Sequence, residues 1–236
     1  MTKEDLLETL IKDGYLKTSA IIEAFKQIDR KDFVAEDMKP GSENSSSRSA
    51  SDGEAARVST SWKDLAYENI ALPLMAGQTI SQPLVVAFML ELLELKPGEK
   101  VLDIGTGSGW NTALMAQLVG ENGLPGQGKI FSIERIEELY NFAKENLKKY
   151  GFPENGTVEL ILGDGSRGYK DGAPYDKIIA AASAGEIPEA WKEQLKIGGR
   201  IVAPVKDSII VINKSAKDKF EKKEYFGFSF VPLVTP

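Results

Sequence analysis

The stretch Val101-Leu102-Asp103-Ile104-Gly105-Thr106-Gly107-Ser108-Gly109-Trp110 restricts this chain more than any other. An apolar, strand-like run leads into three glycines on alternate positions, and a helical pattern begins near Asn111. The glycines permit positive φ and close backbone approach, while the free N–H groups of the helix start point at whatever lies over the loop. This is the pattern of a nucleotide-type cofactor loop, to be weighed against a tight strand-to-helix turn with no ligand. A dinucleotide fingerprint wants Gly-x-Gly-x-x-Gly, but the third glycine comes one residue early and Trp110 fills its place. Asp103, two residues before the first glycine, would repel a pyrophosphate and suits a ligand carrying positive charge. S-adenosylmethionine, with its ammonium and sulfonium groups, meets that demand.

The residue inventory narrows the chemistry. There is no cysteine and no histidine, which removes thiolate nucleophiles, Cys/His zinc sites and every His-based acid–base relay. Methyl transfer to a carboxylic acid needs none of these, because an acceptor with a reference pKa near 4 is already ionised at neutral pH. A net charge of -6 provides no footprint for gripping a phosphate backbone. At 236 residues the chain suits one main α/β domain with a smaller appendage. No apolar run reaches the length of a membrane span, and Met1-Thr2-Lys3-Glu4-Asp5-Leu6-Leu7 is amphipathic where a secretory signal would be continuously apolar. The expectation is a cytoplasmic monomer with no nucleic-acid, membrane or metal partner.

Along the chain, residues 3–13 and 18–29 carry apolar positions at helical spacing, with Thr18 or Ser19 available as an N-cap. From about Glu36 to Ser61 the composition turns to Ser, Gly, Glu, Asp and Ala, which predicts a flexible insertion. Ser81 is placed to cap a helix with Pro83 in its first turn and a body from Leu84 to Leu95. The small polar run Gly77-Gln78-Thr79-Ile80-Ser81 equally offers donors to an anionic group at that helix start. Beyond the glycine loop come a helix of about Thr112–Leu118, a Gly-rich turn from Gly120 to Gly128, and a strand from Lys129 to Glu134. Glu134 lies 25 residues past Gly109, about where α/β nucleotide folds place an acid on ribose hydroxyls. A helix over Glu137–Tyr150 and a strand over Thr157–Leu162 follow, and the strand runs into Gly163-Asp164-Gly165. Asp164 is either a ligand to an adenine amino group or an ordinary Asp-Gly turn. Tyr175–Ala181, Ile187–Leu195 and Gly199–Val205 continue the strand and helix alternation, so the fold predicted is a doubly wound parallel sheet. Ser208–Asn213 and Glu224–Phe230 read as an antiparallel pair closing the sheet edge, with Lys214 to Glu224 as a solvated hairpin tip.

Taken together these residues resemble the protein-L-isoaspartate (D-aspartate) O-methyltransferase family over nearly the whole chain. The matching segments are Arg30-Lys31-Asp32-Phe33-Val34, Ala66-Tyr67-Glu68-Asn69, Gly77 to Pro83, Leu102 to Gly109, Ser132-Ile133-Glu134-Arg135, Gly163-Asp164-Gly165, Ala173-Pro174-Tyr175-Asp176 and Phe230-Val231-Pro232-Leu233. The resemblance implies a class I, Rossmann-like methyltransferase: a seven-stranded, mostly parallel sheet with an antiparallel last strand, preceded by a helical lead-in. Residues 1–80 would form that cap, insertion included, and 81–236 the methyltransferase domain. It also implies methyl transfer from S-adenosylmethionine to the free carboxylate of L-isoaspartyl and D-aspartyl residues in damaged proteins, with Ser81 as the active-site serine. Three positions depart from the family pattern: Leu84 stands where His is common, Asn69 where Asp is usual, and Ala35 where Pro follows Phe-Val. The segment near 40–61 has no counterpart in compact members.

The cofactor set on this reading is Thr79, Ile80, Asp103, Gly105, Thr106, Gly107, Ser108, Gly109, Asn111, Glu134, Arg135, Asp164 and Gly165. Asp103 and the loop hold the methionine end, Glu134 the ribose, Asp164 the adenine, and Ser81 orients the attacking carboxylate. Two rivals stand beside it. One is a class I methyltransferase with another acceptor, a small molecule or RNA, the acidic charge balance speaking against RNA. The other is a cofactor-binding module whose substrate site no longer turns over.

Overall fold

The computed structural model describes residues 1–35, 61–120 and 128–234. The insertion expected at 36–61, except for Ser61, and most of the glycine-rich turn expected between 120 and 128 lie outside these residues.

The lead-in begins with α1 (Lys3–Lys12), whose start is fixed by a reciprocal cap between Thr2 and Asp5. Its buried face is Leu6, Leu7 and Leu10, the helical stripe seen in the sequence. Next comes α2 (Ser19–Gln27). Thr18 occupies its N-cap position, but the hydroxyl donates 2.7 Å to Glu91 Oε2 and makes no cap bond of its own. A 3₁₀ turn over Arg30–Phe33 ends this part. Two short antiparallel strands, β1 (Leu72–Pro73) and β2 (Thr79–Ile80), then lead into α3 (Pro83–Leu93).

Strand and helix alternate from there: β3 (Lys100–Ile104), α4 (Trp110–Val119), β4 (Lys129–Glu134), α5 (Glu137–Lys148), β5 (Val158–Leu162), β6 (Tyr175–Ala180), α6 (Glu189–Gln194) and β7 (Leu195–Val205). The chain closes on β8 (Ser208–Ala216) and β9 (Lys219–Phe226). The sheet order is β5-β4-β3-β6-β7-β8-β9. Pairing is parallel from β5 through β7, then antiparallel between β7 and β8 and between β8 and β9. One apolar layer joins α1 to α5 and the lead-in to one face of the sheet, and a second, built on Trp191 and Tyr175, covers the other. Fully buried side chains such as Leu16, Leu90 and Leu102 contribute about 1.5–3 kcal/mol each.

Two local expectations need correction. Ser81 does not cap α3: the N-cap residue is Gln82, which makes no side-chain cap bond, and Asn69 Oδ1 accepts the Leu84 amide at 3.0 Å instead. A cap supplied from a distant loop leaves no signature beside the helix. The run Lys214 to Glu224 is strand on both sides of a tight turn rather than a hairpin tip, since β8 continues to Ala216 and β9 starts at Lys219. Its lysines read as solvated in sequence, but Lys214 is 7% exposed and donates to the carbonyls of Lys192 and Leu195 at the end of α6.

Candidate functional site

The sheet order reverses beside β3, with β4 and β5 to one side and β6 onward to the other. Loops leaving the carboxyl ends of β3 and β6 diverge there and open a crevice, the place where open α/β sheets bind ligands. A cavity of about 490 Å³ fills it, within the size range of small-molecule sites.

The glycine loop builds its floor. Gly105, Gly107 and Gly109 all have positive φ (87°, 57° and 88°). A Cβ on Gly107 would meet nothing within 4 Å, and one on Gly105 would touch only Ala181 at 3.7 Å. Gly109 differs, because its Cβ would crowd Leu147 and Ala143 of α5 at 3.3–3.4 Å. The first two glycines therefore open space toward the cavity, while the third lets α4 pack on α5.

Beneath the loop lies a buried polar network. Asp103 is 1% exposed, and its Oδ2 accepts from the hydroxyls of Thr112 at 2.6 Å and Ser132 at 2.8 Å. Ser132 also shares a hydrogen bond of 2.6 Å with Thr106. Asp103 Oδ1 has no partner. Burial pushes this carboxyl up to about 6, the two hydroxyl bonds opposing it only in part.

Glu134 ends β4 and lines the cavity. Its Oε2 accepts the Gly107 amide at 2.9 Å, and Oε1 accepts the amides of Arg135 and Ile136 at 2.8 and 3.0 Å. The carboxylate thus ties loop to wall, and its remaining lone pairs can still accept from hydroxyls. Asp164 lines an adjoining cavity that shares Ile133 and Gly163 with the first. Its Oδ1 accepts the Ser166 amide, while the buried Oδ2 makes no hydrogen bond and has only the Nε of Arg167 at 3.5 Å.

Of the residues singled out in the sequence, the structure gathers Thr79, Ser81, Gly105, Gly107, Glu134, Arg135 and Gly165 around the cavity. Thr106 and Ser108 are buried behind the loop, with Ser108 accepting Asn146 Nδ2 on its carbonyl. Ile80 packs into the core, and the Asn111 side-chain oxygen is buried without a partner. The site fits a ligand with vicinal hydroxyls, since Glu134 retains acceptor capacity and Gly105 and Gly107 leave the floor clear; Asp103 does not line the cavity, and from beneath the loop it can favour a cationic end only through its charge.

Ser81 sits on the wall facing the loop. Its carbonyl accepts Arg30 Nη2 at 3.0 Å, and among the described residues its hydroxyl has no partner. The far wall was not assigned a role from sequence. Ser229 to Val234 border the cavity, held by the Ser183 amide on the Val231 carbonyl and the Leu233 amide on the Ser183 carbonyl, both at 2.8 Å. Phe230-Val231-Pro232-Leu233 stood out as a motif, but a coil segment carries no periodicity from which its position could be read.

Comparison with known proteins identifies the family and the fold. The family model for protein-L-isoaspartate(D-aspartate) O-methyltransferase matches residues 1–52 and 49–236. A protein-L-isoaspartate O-methyltransferase of Ignicoccus hospitalis is 39% identical over 236 residues, covering 98% of this chain and 97% of its own. One from Christiangramia forsetii is 47% identical over 181 residues, covering 75% of this chain and 79% of its own. A Plasmodium falciparum chain described as a protein-L-isoaspartate O-methyltransferase, in complex with S-adenosyl-L-homocysteine, superposes with a TM-score of 0.79 at 23% identity over 99% of both chains. That last likeness establishes a shared fold.

Proposed function

The chain belongs to the protein-L-isoaspartate(D-aspartate) O-methyltransferase family, and from that premise we propose that its crevice is the site of S-adenosylmethionine-dependent methylation of damaged proteins, with Ser81 facing the acceptor. The protein is a methyltransferase that esterifies the free carboxylate of isoaspartyl residues, the step that initiates repair. The observation that carries the site assignment is one cavity bordered by both the open glycine floor and Ser81, whose hydroxyl is uncommitted.

Bound over the loop, S-adenosylmethionine supplies an electrophilic methyl group. Gly105 and Gly107 would leave room for it, Glu134 would hold the ribose hydroxyls, and Asp164, in the adjoining cavity, would hold the adenine amino group. Asp103, buried beneath the loop, would contribute its negative charge on the methionine side. The methyl group would pass to an isoaspartyl carboxylate, an acceptor already ionised at neutral pH that asks no base of this chain. Ser81 donates a hydrogen bond to that carboxylate and orients it. It is not a nucleophile, because no base adjoins it. Catalysis is then mainly the positioning of two charged reactants, for which effective molarities reach roughly 10⁵ M or more.

On the same reading, residues 1–80 cap the catalytic portion 81–236, and the enzyme works as a cytoplasmic monomer on peptide and protein substrates without nucleic acid. Among the described residues no helix is long and apolar enough to cross a membrane. The decisive experiment is labelled methyl transfer to paired peptides of one sequence, isoaspartyl in one and aspartyl in the other. Base-labile label on the isoaspartyl peptide alone is the result expected. Cofactor binding without such label would leave the binding-module alternative standing.

A further inference from the structure

Arg30 opens the Arg30–Phe33 turn and is 2% exposed. Its Nη1 donates to the carbonyls of Ala66 at 2.7 Å and Glu68 at 3.3 Å, and its Nη2 to those of Ile70 at 2.9 Å and Ser81 at 3.0 Å. The guanidinium also lies 5.2 Å from the centre of the Trp110 ring, at the first residue of α4 directly after the glycine loop. Among the described residues no carboxylate pairs with it, and Nε has no acceptor. Burial pulls its pKa down to about 9, so it stays charged at neutral pH. Burying a cation without a counter-ion is costly, and neutral donors would suffice if the task were only to satisfy loop carbonyls.

We propose that Arg30 is a positioning residue for methyl transfer, clasping the Ser81 carbonyl to the 66–70 segment and to the Trp110 ring so that the acceptor wall and the cofactor loop keep one mutual geometry. The proposal rests on the assignment of Ser81 to the acceptor. Three parts of the chain distant in sequence meet on one planar fork: the 66–70 segment, the wall ending in Ser81, and the helix that starts the cofactor side. The Gln82 side chain and Asn69 fasten two of these parts again, with Gln82 Nε2 on the Asn69 carbonyl at 2.8 Å. A lysine would keep the charge, but its compact ammonium cannot hold four carbonyls in the plane of the fork. Misplacement of a reacting group by about 1 Å costs roughly a hundredfold in rate.

The test is a double-mutant cycle of Arg30→Lys and Ser81→Ala in the full chain, read as kcat and KM for an isoaspartyl peptide together with S-adenosylmethionine affinity by calorimetry. Expected are a fall in kcat of about ten- to a hundredfold for Arg30→Lys, cofactor affinity within about threefold of wild type, and little further loss when Arg30→Lys is added to Ser81→Ala. A merely structural role would predict multiplying losses, or cofactor affinity falling in step with kcat, and either result overturns the proposal. Should Arg30→Lys not fold, Arg30→Gln replaces it in the cycle, and failure of both to fold assigns Arg30 to the fold alone. A wild type inactive on isoaspartyl peptide overturns the acceptor assignment and this inference with it. An active wild type with an undiminished Arg30→Lys overturns only the inference.

Discussion

The side-chain oxygen of Asn69 accepts the amide of Leu84 at 3.0 Å, so α3 is capped by a residue fifteen positions upstream. The cap comes from Asn69, and Ser81, which borders the cavity, does not supply it.

Asn69→Ala is expected to lower stability by about 1 kcal/mol, the usual value of a lost N-cap. Asn69→Asp keeps the acceptor and places negative charge at a helix start, so it should equal or exceed wild type. Urea unfolding distinguishes the two, and an Asn69→Ala curve superimposable on wild type would remove the cap from the account.

Ser81→Ala should now be nearly silent in stability, within about 0.5 kcal/mol, since no cap is lost. Methyl transfer should fall about ten- to a hundredfold, the size of one hydrogen bond to a charged group. Unfolding curves and initial rates on one preparation check both halves. A stability loss as large as that of Asn69→Ala would return the cap to Ser81.

Gly107→Ala separates conformational cost from ligand space. The backbone there has φ 57°, and a Cβ would meet no protein atom within 4 Å. The apo protein should lose only about 1 kcal/mol, whereas a methyl group projecting into the floor should weaken S-adenosylmethionine binding by tenfold or more, about 1.4 kcal/mol. Unchanged affinity by calorimetry would show that the ligand does not lie over this glycine.

Asp103 makes stability depend on pH in the direction opposite to the usual carboxylate. Its folded value, about 6, is raised above the reference of 3.8, so the folded state binds this proton more tightly than the unfolded chain. Its contribution is complete below about pH 4 and is lost as pH rises toward 6, leaving a cost of up to about 3 kcal/mol at neutrality. Asp103→Asn, which still accepts from Thr112 and Ser132, should therefore gain on wild type between pH 4 and pH 7 while binding S-adenosylmethionine less well. A stability difference flat across that range would show that the carboxylate is solvated or compensated in the folded protein.

The local signals were legible in the chain wherever a residue's task is set by its neighbours in sequence. The three glycines, the apolar run before them and Glu134 at a strand end are such cases, because φ freedom and strand periodicity are local properties. The parallel core of the sheet followed from strand and helix alternation, whereas the crevice opens where the strand order reverses beside β3, a topology that only the folded sheet fixes. Tertiary structure decided what depends on partners far along the chain. The cap on α3 came from Asn69, the Lys214 ammonium turned inward to the end of α6, and the segment from Ser229 to Val234 became a wall of the site. Arg30 is the clearest instance: in sequence it is one basic residue among 29, and only folding brings four carbonyls and the Trp110 ring within its reach. Hydrogen bonds act over about 3 Å of space whatever the separation along the chain, so these roles existed only once the chain had closed around them.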